Sequence, residues 1–207
     1  MKTHVPFTRD EVLAAALTYF HGDDLAATTW VNKYALRNER GELVEKDPAD
    51  MHRRMAREFA RIERSYTPLP TEHKALLSNY GRQRTALDEE RIFQLFADFR
   101  DVVPQGSVMA SLGDPYRLAS LSNCVVVPSP LDSYGGIFRV DQQLAQLFKR
   151  RCGVGFDLST LRPEGAAVSN AARTSTGAVS FMERFSNTTR EVAQKGRRGA
   201  LMLTMDI

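Results

Sequence analysis

Ser120-Leu121-Ser122-Asn123-Cys124-Val125-Val126-Val127-Pro128 places one cysteine at the head of a short β-branched run. Val125 to Val127 shows no alternation of polar and apolar residues, so it reads as a strand buried on both faces, the pattern of a parallel sheet. Pro128 ends the run because it has no ladder donor. Ser120, Ser122 and Asn123 set small polar groups just ahead of the thiol, suited to hydrogen-bonding a hydroxyl-rich or phosphorylated ligand. Cys124 is either a reactive group at a strand mouth or a small core residue; the stretch by itself allows both.

Downstream the same grammar repeats. Leu131 to Gly136 reads as a polar, glycine-bearing turn, and Val140 to Arg150 as a helix with Leu144, Leu147 and Phe148 on one face. Val154 to Leu158 is a second short strand, Ser159 to Arg173 mostly loop, Gly177 to Gln194 a helix, and Leu201 to Ile207 a third strand. Strands alternating with helices imply a parallel sheet or barrel. Three strands neither close a barrel nor cover both of their own faces, so this half reads as the beginning of an α/β domain.

Upstream of Val103 the pattern is helical. Thr8-Arg9-Asp10-Glu11 is a capping box leading into Val12, Leu13, Leu17 and Phe20. Asp23 and Asp24 open a second helix through Trp30 to Tyr34, and Asp47-Pro48 a third that carries Met51, Met55, Phe59 and Ile62. Two more are expected around Glu72 to Tyr80 and Asp88 to Phe99. The aromatic and methionine stripes, Trp30 included, read as core. The expected division is a helical domain over 1–103 and an α/β domain over 104–207.

The 207 residues are 43% apolar and 26% charged, the balance of an ordinary globular protein. Two cysteines, Cys124 and Cys152, exclude a disulfide scaffold and fit the reduced thiols of a cytoplasm. No apolar run approaches the roughly 18 residues of a membrane helix, and the N-terminus leads straight into a polar helix start without a secretory signal. His4, His21, His52 and His73 are scattered, with no metal-ligand spacing. The net charge is +3 with a pI of about 9.0. The excess is local, in Lys149-Arg150-Arg151 and Lys195-Gly196-Arg197-Arg198. These are either solvated helix ends or phosphate ligands beside glycines. Nucleic-acid binding is the weaker class, because no exposed aromatic pattern interleaves the basic residues.

Gly153-Val154-Gly155 fails as a dinucleotide fingerprint: position 158 is leucine, and the glycines enter a strand rather than leave one. Asp132-Ser133 is a helix cap or a ribose acceptor pair, and Arg162 a surface arginine or a phosphate ligand. Gln194 to Ala200, with two arginines between glycines, either complements a helix dipole or makes a phosphate- and base-seeking loop. No histidine follows residue 100, so Cys124 has no base for nucleophilic hydrolysis. A thiol without a base suits oxidation against a second thiol supplied from elsewhere. Cys152, amid basic residues before a tight turn, reads as a structural filler.

The order Leu121-Ser122-Asn123-Cys124, Asp132-Ser133, Lys149 to Pro163 (with Gly153-Val154-Gly155-Phe156-Asp157-Leu158-Ser159), Ser175 to Met182 and Gln194 to Ala200 resembles the large, catalytic subunit of ribonucleotide reductase, in the flavour of the adenosylcobalamin-dependent class II enzymes. The resemblance implies a helical N-terminal domain followed by the first strands and helices of a ten-stranded α/β barrel, here incomplete. It implies that Cys124 is one of a pair oxidised to a disulfide as the ribose 2′-hydroxyl is removed, with Ser107, Ser122, Asn123, Gln194 and Arg198 toward the substrate. Asp132, Ser133, Lys149, Arg162 and Lys195 match positions for the deoxynucleotide specificity effector. The helices after Asp132 and from Gly177 would form a homodimer beside that site.

The radical-bearing cysteine and the second redox cysteine of that family have no counterpart here, so the chain is expected to be inactive alone and to need the complementary part of the reductase. A thioredoxin-type reductant would act indirectly. Adenosylcobalamin is the favoured radical source, with a di-iron subunit as the alternative; diphosphate or triphosphate substrate stays open. No ATP-cone signature is present. The competing function classes are a noncatalytic nucleotide-binding module and, more remotely, a basic nucleic-acid binder.

Overall fold

The computed structural model describes residues 5–66, 76–192 and 199–206. They fall into two compact units that divide after Arg117.

The first unit is helical. Helix α1 (Arg9–Tyr19) begins at the expected capping box: Glu11 N donates to Thr8 Oγ1 at 3.3 Å, and Thr8 N donates to Glu11 Oε2 at 2.8 Å. Asp23 caps α2 (Asp24–Lys33), and Asp47 caps α3 (Pro48–Ser65) with the proline at its first position. Val12, Ala16, Trp30, Val31, Met51, Met55 and Ala56 close the core between them. A short α4 (Asn79–Gln83) follows; the helix expected from Glu72 to Tyr80 lies partly outside the described residues. Helix α5 (Glu89–Phe96) ends sooner than its apolar pattern suggests. Asp98 and Phe99 adopt positive φ (57° and 53°) in a 3-10 turn over Ala97–Phe99, which breaks the helical path.

Helix α6 (Gly106–Ser111) carries no cap or periodicity that the sequence reading could detect. Tertiary bonds hold it. Arg54 of α3 donates Nη2 to Met109 O at 2.9 Å and Nη1 to Leu112 O, while its Nε pairs with Glu45 Oε1 at 2.7 Å. Residues 106–112 are therefore tied to the helical unit, and the boundary falls beyond the change of pattern at 103.

The second unit is two consecutive βαβ turns: β1 (Cys124–Val126), α7 (Tyr134–Phe148), β2 (Gly153–Asp157), α8 (Gly177–Glu191) and β3 (Leu201–Thr204). The strands are parallel in the order β1-β2-β3, with Cys124 opposite Gly153 and Val154 opposite Leu201. Val154 and Phe156 of β2 pack with Leu144 and Phe148 of α7 and Phe185 of α8. The Phe156 and Phe185 rings meet edge to face at 5.0 Å. Asp141 joins the two helices by accepting from Arg184 Nη2 at 2.7 Å and from Thr188 Oγ1.

Two expectations are corrected here. The valine run is not buried on both faces. Both helices lie on one side of the sheet, and on the other Val126 is 84% and Met202 71% exposed. A β-branched run fits an uncovered sheet face as well as a covered one, so composition does not separate the two. Secondly, the helix expected from Val140 starts at Tyr134. Ser133 Oγ accepts from Gly136 N at 3.1 Å, and the two glycines belong to the first helical turn.

Candidate functional site

Cys124 is the first residue of β1. Alternation along the strands and the register place it with Val126, Gly155 and Met202 on the uncovered face, and its side chain is exposed. Ahead of it Ser120 Oγ donates to Ser122 O at 3.0 Å and accepts from Ser122 N at 3.1 Å, making a tight polar turn. Asn123 O accepts from Gly153 N at 2.7 Å, which fixes the entry to β1. Ser122 and Asn123 thus border the thiol directly.

Cys152 lies one residue before β2, near enough to Cys124 for the two thiols to interact electrostatically. It is buried, with Sγ donating to Gly153 O at 3.3 Å. Burial pushes its thiol up, against the opposing effect of a hydrogen bond with Ser120. Raising a thiol's pKa lowers its thiolate fraction, so Cys152 has the character of a packed, inert cysteine.

A cavity of about 260 Å³ opens where the β1–α7 and β2–α8 connections meet. This is the carboxyl end of the parallel strands, where open α/β sheets bind ligands. It is lined by Asp132, Ser133, Tyr134, Ile137, Arg162, Val168, Ser169, Asn170, Thr174, Ser175, Thr176 and Phe181. Asp132 and Arg162, thirty residues apart, meet in it: Arg162 donates Nε to Asp132 Oδ2 at 2.7 Å and its backbone N to Asp132 Oδ1 at 3.3 Å. Thr160 Oγ1 bonds Pro130 O at 2.6 Å and ties the same two connections again.

The start of both helices faces this cavity. Ser133 spends its hydroxyl on capping α7, the structural alternative for that residue, yet remains on the cavity wall. Gly177 opens α8 at φ 79°, and a Cβ there would stand 2.7 Å from Glu164 N. Two helix N-termini beside an arginine make a site suited to anions, and Tyr134 and Phe181, with ring centroids 6.2 Å apart, give it an apolar wall.

The other expected site residues are placed elsewhere. Lys149 caps the far end of α7, about 24 Å along the helix from Ser133 at ~1.5 Å per residue, and does not line the cavity. The basic cluster there behaves as a helix end, with Arg150 Nη1 donating to Gln146 O at 3.0 Å. Ser107 lies on α6 of the helical unit and is buried. Gln194, Lys195 and Arg198 lie outside the described residues. The sequence reading missed Ser169, Asn170 and Thr174 to Thr176. Their run of hydroxyls before an apolar helix was the available signal. Among the described residues no cluster of three His, Cys, Asp or Glu side chains is arranged to hold a metal ion. No helix among them is long and apolar enough to cross a membrane.

An all-helical unit leading into a parallel α/β unit, with a ligand cavity at the strand ends and an exposed thiol on the free sheet face, defines the class of protein. The family follows from two adjacent matches: residues 20–117 match the ribonucleotide reductase all-alpha domain, and residues 122–207 the ribonucleotide reductase barrel domain. Together they take in most of the chain, and the chain belongs to the ribonucleotide reductase large-subunit family. β1 to β3 are accordingly the start of that barrel.

The chain is similar to a vitamin B12-dependent ribonucleoside-diphosphate reductase of Thermoplasma acidophilum, 28% identical over 82% of this chain and 27% of the relative. One of the same description from Mycobacterium tuberculosis is 29% identical over 88% of this chain and 24% of the relative. The ribonucleoside-diphosphate reductase large chain 2 of Saccharomyces cerevisiae is 31% identical over 42% of this chain and 10% of its own. The chain spans about a quarter of the length of the B12-dependent relatives. Nothing in these relatives' descriptions supports the di-iron alternative.

Proposed function

We propose that this chain contributes one reducing thiol and the specificity-effector cavity to a ribonucleotide reductase that makes deoxyribonucleotides. In the overall step two thiols give up two electrons and two hydrogens. The ribose 2′ C–O bond breaks, a C–H bond replaces it, water leaves, and a disulfide forms. Cys124 is one thiol. Cys152, buried with its Sγ donating to Gly153 O, is not the other, which we assign to the complementary part of the reductase. A thioredoxin-type reductant then resets the pair. Asp132, Ser133 and Arg162 take the effector's ribose and phosphate groups, and α7 and α8 face a second copy of the chain through exposed Tyr134, Phe138 and Val179.

The observation that carries this reading is joint. Cys124 stands on the uncovered face at the head of β1, while Asp132 and Arg162 converge on one cavity beyond its carboxyl end. The relatives' descriptions favour adenosylcobalamin. The cavity of about 260 Å³ is too small to take a corrin, so no step of this chain is routed through the cofactor.

The test is reconstitution with the complementary part and adenosylcobalamin. Cys124→Ser is expected to abolish thioredoxin-linked multiple turnover while deoxynucleotide binding is kept; full multiple turnover by that variant refutes the assignment. Iodoacetamide is expected to label Cys124 in the folded chain and Cys152 only after unfolding, read by mass spectrometry. The cavity is built wholly from residues 132–181 of the second unit, which favours a noncatalytic nucleotide-binding module as the second reading. Deoxynucleotide binding with no reduction after reconstitution selects it.

A further inference from the structure

Arg162 is held without any ligand through Nε, Nη1 and its backbone N. Its Nε and backbone N donate to the two oxygens of Asp132 at 2.7 and 3.3 Å, and its Nη1 donates to Ala167 O at 3.2 Å. We propose that Asp132 is a specificity-determining residue that holds Arg162 in reserve, so that the cavity favours an anion whose own molecule also brings a hydroxyl donor for Asp132. This rests on the effector reading of the cavity given above.

The chemistry follows from which charges face one another. The N-termini of α7 and α8 attract an anion into the cavity. The cation that would complete its binding is already paired with a carboxylate. A bare polyphosphate that reaches Arg162 either draws the guanidinium from that carboxylate or sits close beside it, unneutralised. A sugar phosphate separates the pair as well, but its hydroxyl gives Asp132 a new donor, and the carboxylate stays hydrogen-bonded while Arg162 turns to the phosphate. Asp132 therefore disfavours inorganic polyphosphates that the helix termini and Arg162 would otherwise bind more tightly. The pair is partly exposed, with the two side chains 37% and 36% accessible, so the barrier is a matter of a few-fold in affinity, as for other surface pairs.

The experiment compares 2′-deoxyadenosine 5′-triphosphate with inorganic tripolyphosphate by calorimetry on the full chain and on Asp132→Asn. The wild type is expected to prefer the nucleotide. The variant is expected to bind tripolyphosphate about two- to five-fold tighter and the nucleotide more weakly. Unchanged or weaker tripolyphosphate binding in the variant, with nucleotide binding intact in the wild type, overturns the reserve role alone. A wild type that binds neither probe overturns the effector reading and this inference with it. Should Asp132→Asn fail to fold, the wild-type Arg162 Nε–Hε NMR signal decides: it is expected to move with the nucleotide and to stay with equimolar tripolyphosphate, and equal movement overturns the proposal.

Discussion

Gly135 and Gly136 are neighbours in the first turn of α7 and should respond to alanine with opposite signs. A Cβ on Gly135 meets nothing within 4 Å. One on Gly136 would stand 2.5 Å from Leu131 O, 2.7 Å from Leu131 Cβ and 2.8 Å from Leu131 N. Both variants gain the helix-propensity difference between glycine and alanine, up to about 1 kcal/mol. Gly135→Ala keeps that gain. Gly136→Ala must move the Leu131 backbone, an overpacking penalty of about 1–3 kcal/mol. It also pulls Gly136 N from Ser133 Oγ, a cap of about 1 kcal/mol. The net expectation is a stabilisation of about 0.5–1 kcal/mol for the first and a loss of about 1–3 kcal/mol for the second. At roughly 4–8 °C per kcal/mol for a domain of this size, thermal unfolding followed by circular dichroism separates them. Leu131 precedes Asp132, so Gly136→Ala should also weaken deoxynucleotide binding while Gly135→Ala leaves it unchanged. Equal stability of the two variants would refute the close approach that defines this end of the cavity.

Two further predictions concern the helical unit. His52 is fully buried, 3.3 Å from Tyr19 Oη through Nδ1, and burial pushes its pKa down to about 4. Between pH 6.5 and 4 the unfolded chain binds this proton and the folded chain does not. Stability is therefore complete above pH 6.5 and falls by about 3 kcal/mol as pH drops to 4; His52→Gln should remove one proton from the slope of urea-unfolding stability over that window, and an unchanged slope would count against it. Arg54→Met strands the buried Glu45 carboxylate, whose pKa burial already raises, and should destabilise the unit by about 3–5 kcal/mol. It should also open residues 106–117 to limited proteolysis, since Met109 O and Leu112 O lose their donor. Protection equal to wild type would contradict the pinning role.

The sequence was most legible where a local rule acts alone. Thr8, Asp23 and Asp47 cap their helices because each side chain reaches a backbone donor two or three residues on, a relation fully contained in the local sequence. The strand–helix alternation was equally plain, and so was the family resemblance. Non-local features were harder. Helix α6 exists because Arg54, about fifty residues earlier, binds its carbonyls. The pairing of Asp132 with Arg162 spans thirty residues, and only the meeting of two βα connections brings it about. Lys149 lies at the far end of α7 from Asp132 and Arg162, a separation set by a helix start that two glycines concealed.

The uncovered sheet face has a consequence for the thiol. Parallel sheets are as a rule covered on both sides, yet one side of β1–β3 carries Val126 and Met202 into solvent beside Cys124. On the reading proposed here, the rest of the barrel covers that side, and whatever covers it sets the polarity around the Cys124 sulfur. Gly155 on β2 brings no side chain to the face, directly beside Val126 and Met202 in the register. A strand position without a side chain, near a thiol, suits close approach of a substrate to the backbone. The exposure that opens Cys124 to alkylation in this chain alone should disappear on assembly. Its alkylation rate is thus a direct measure of whether the complementary part has docked on the sheet.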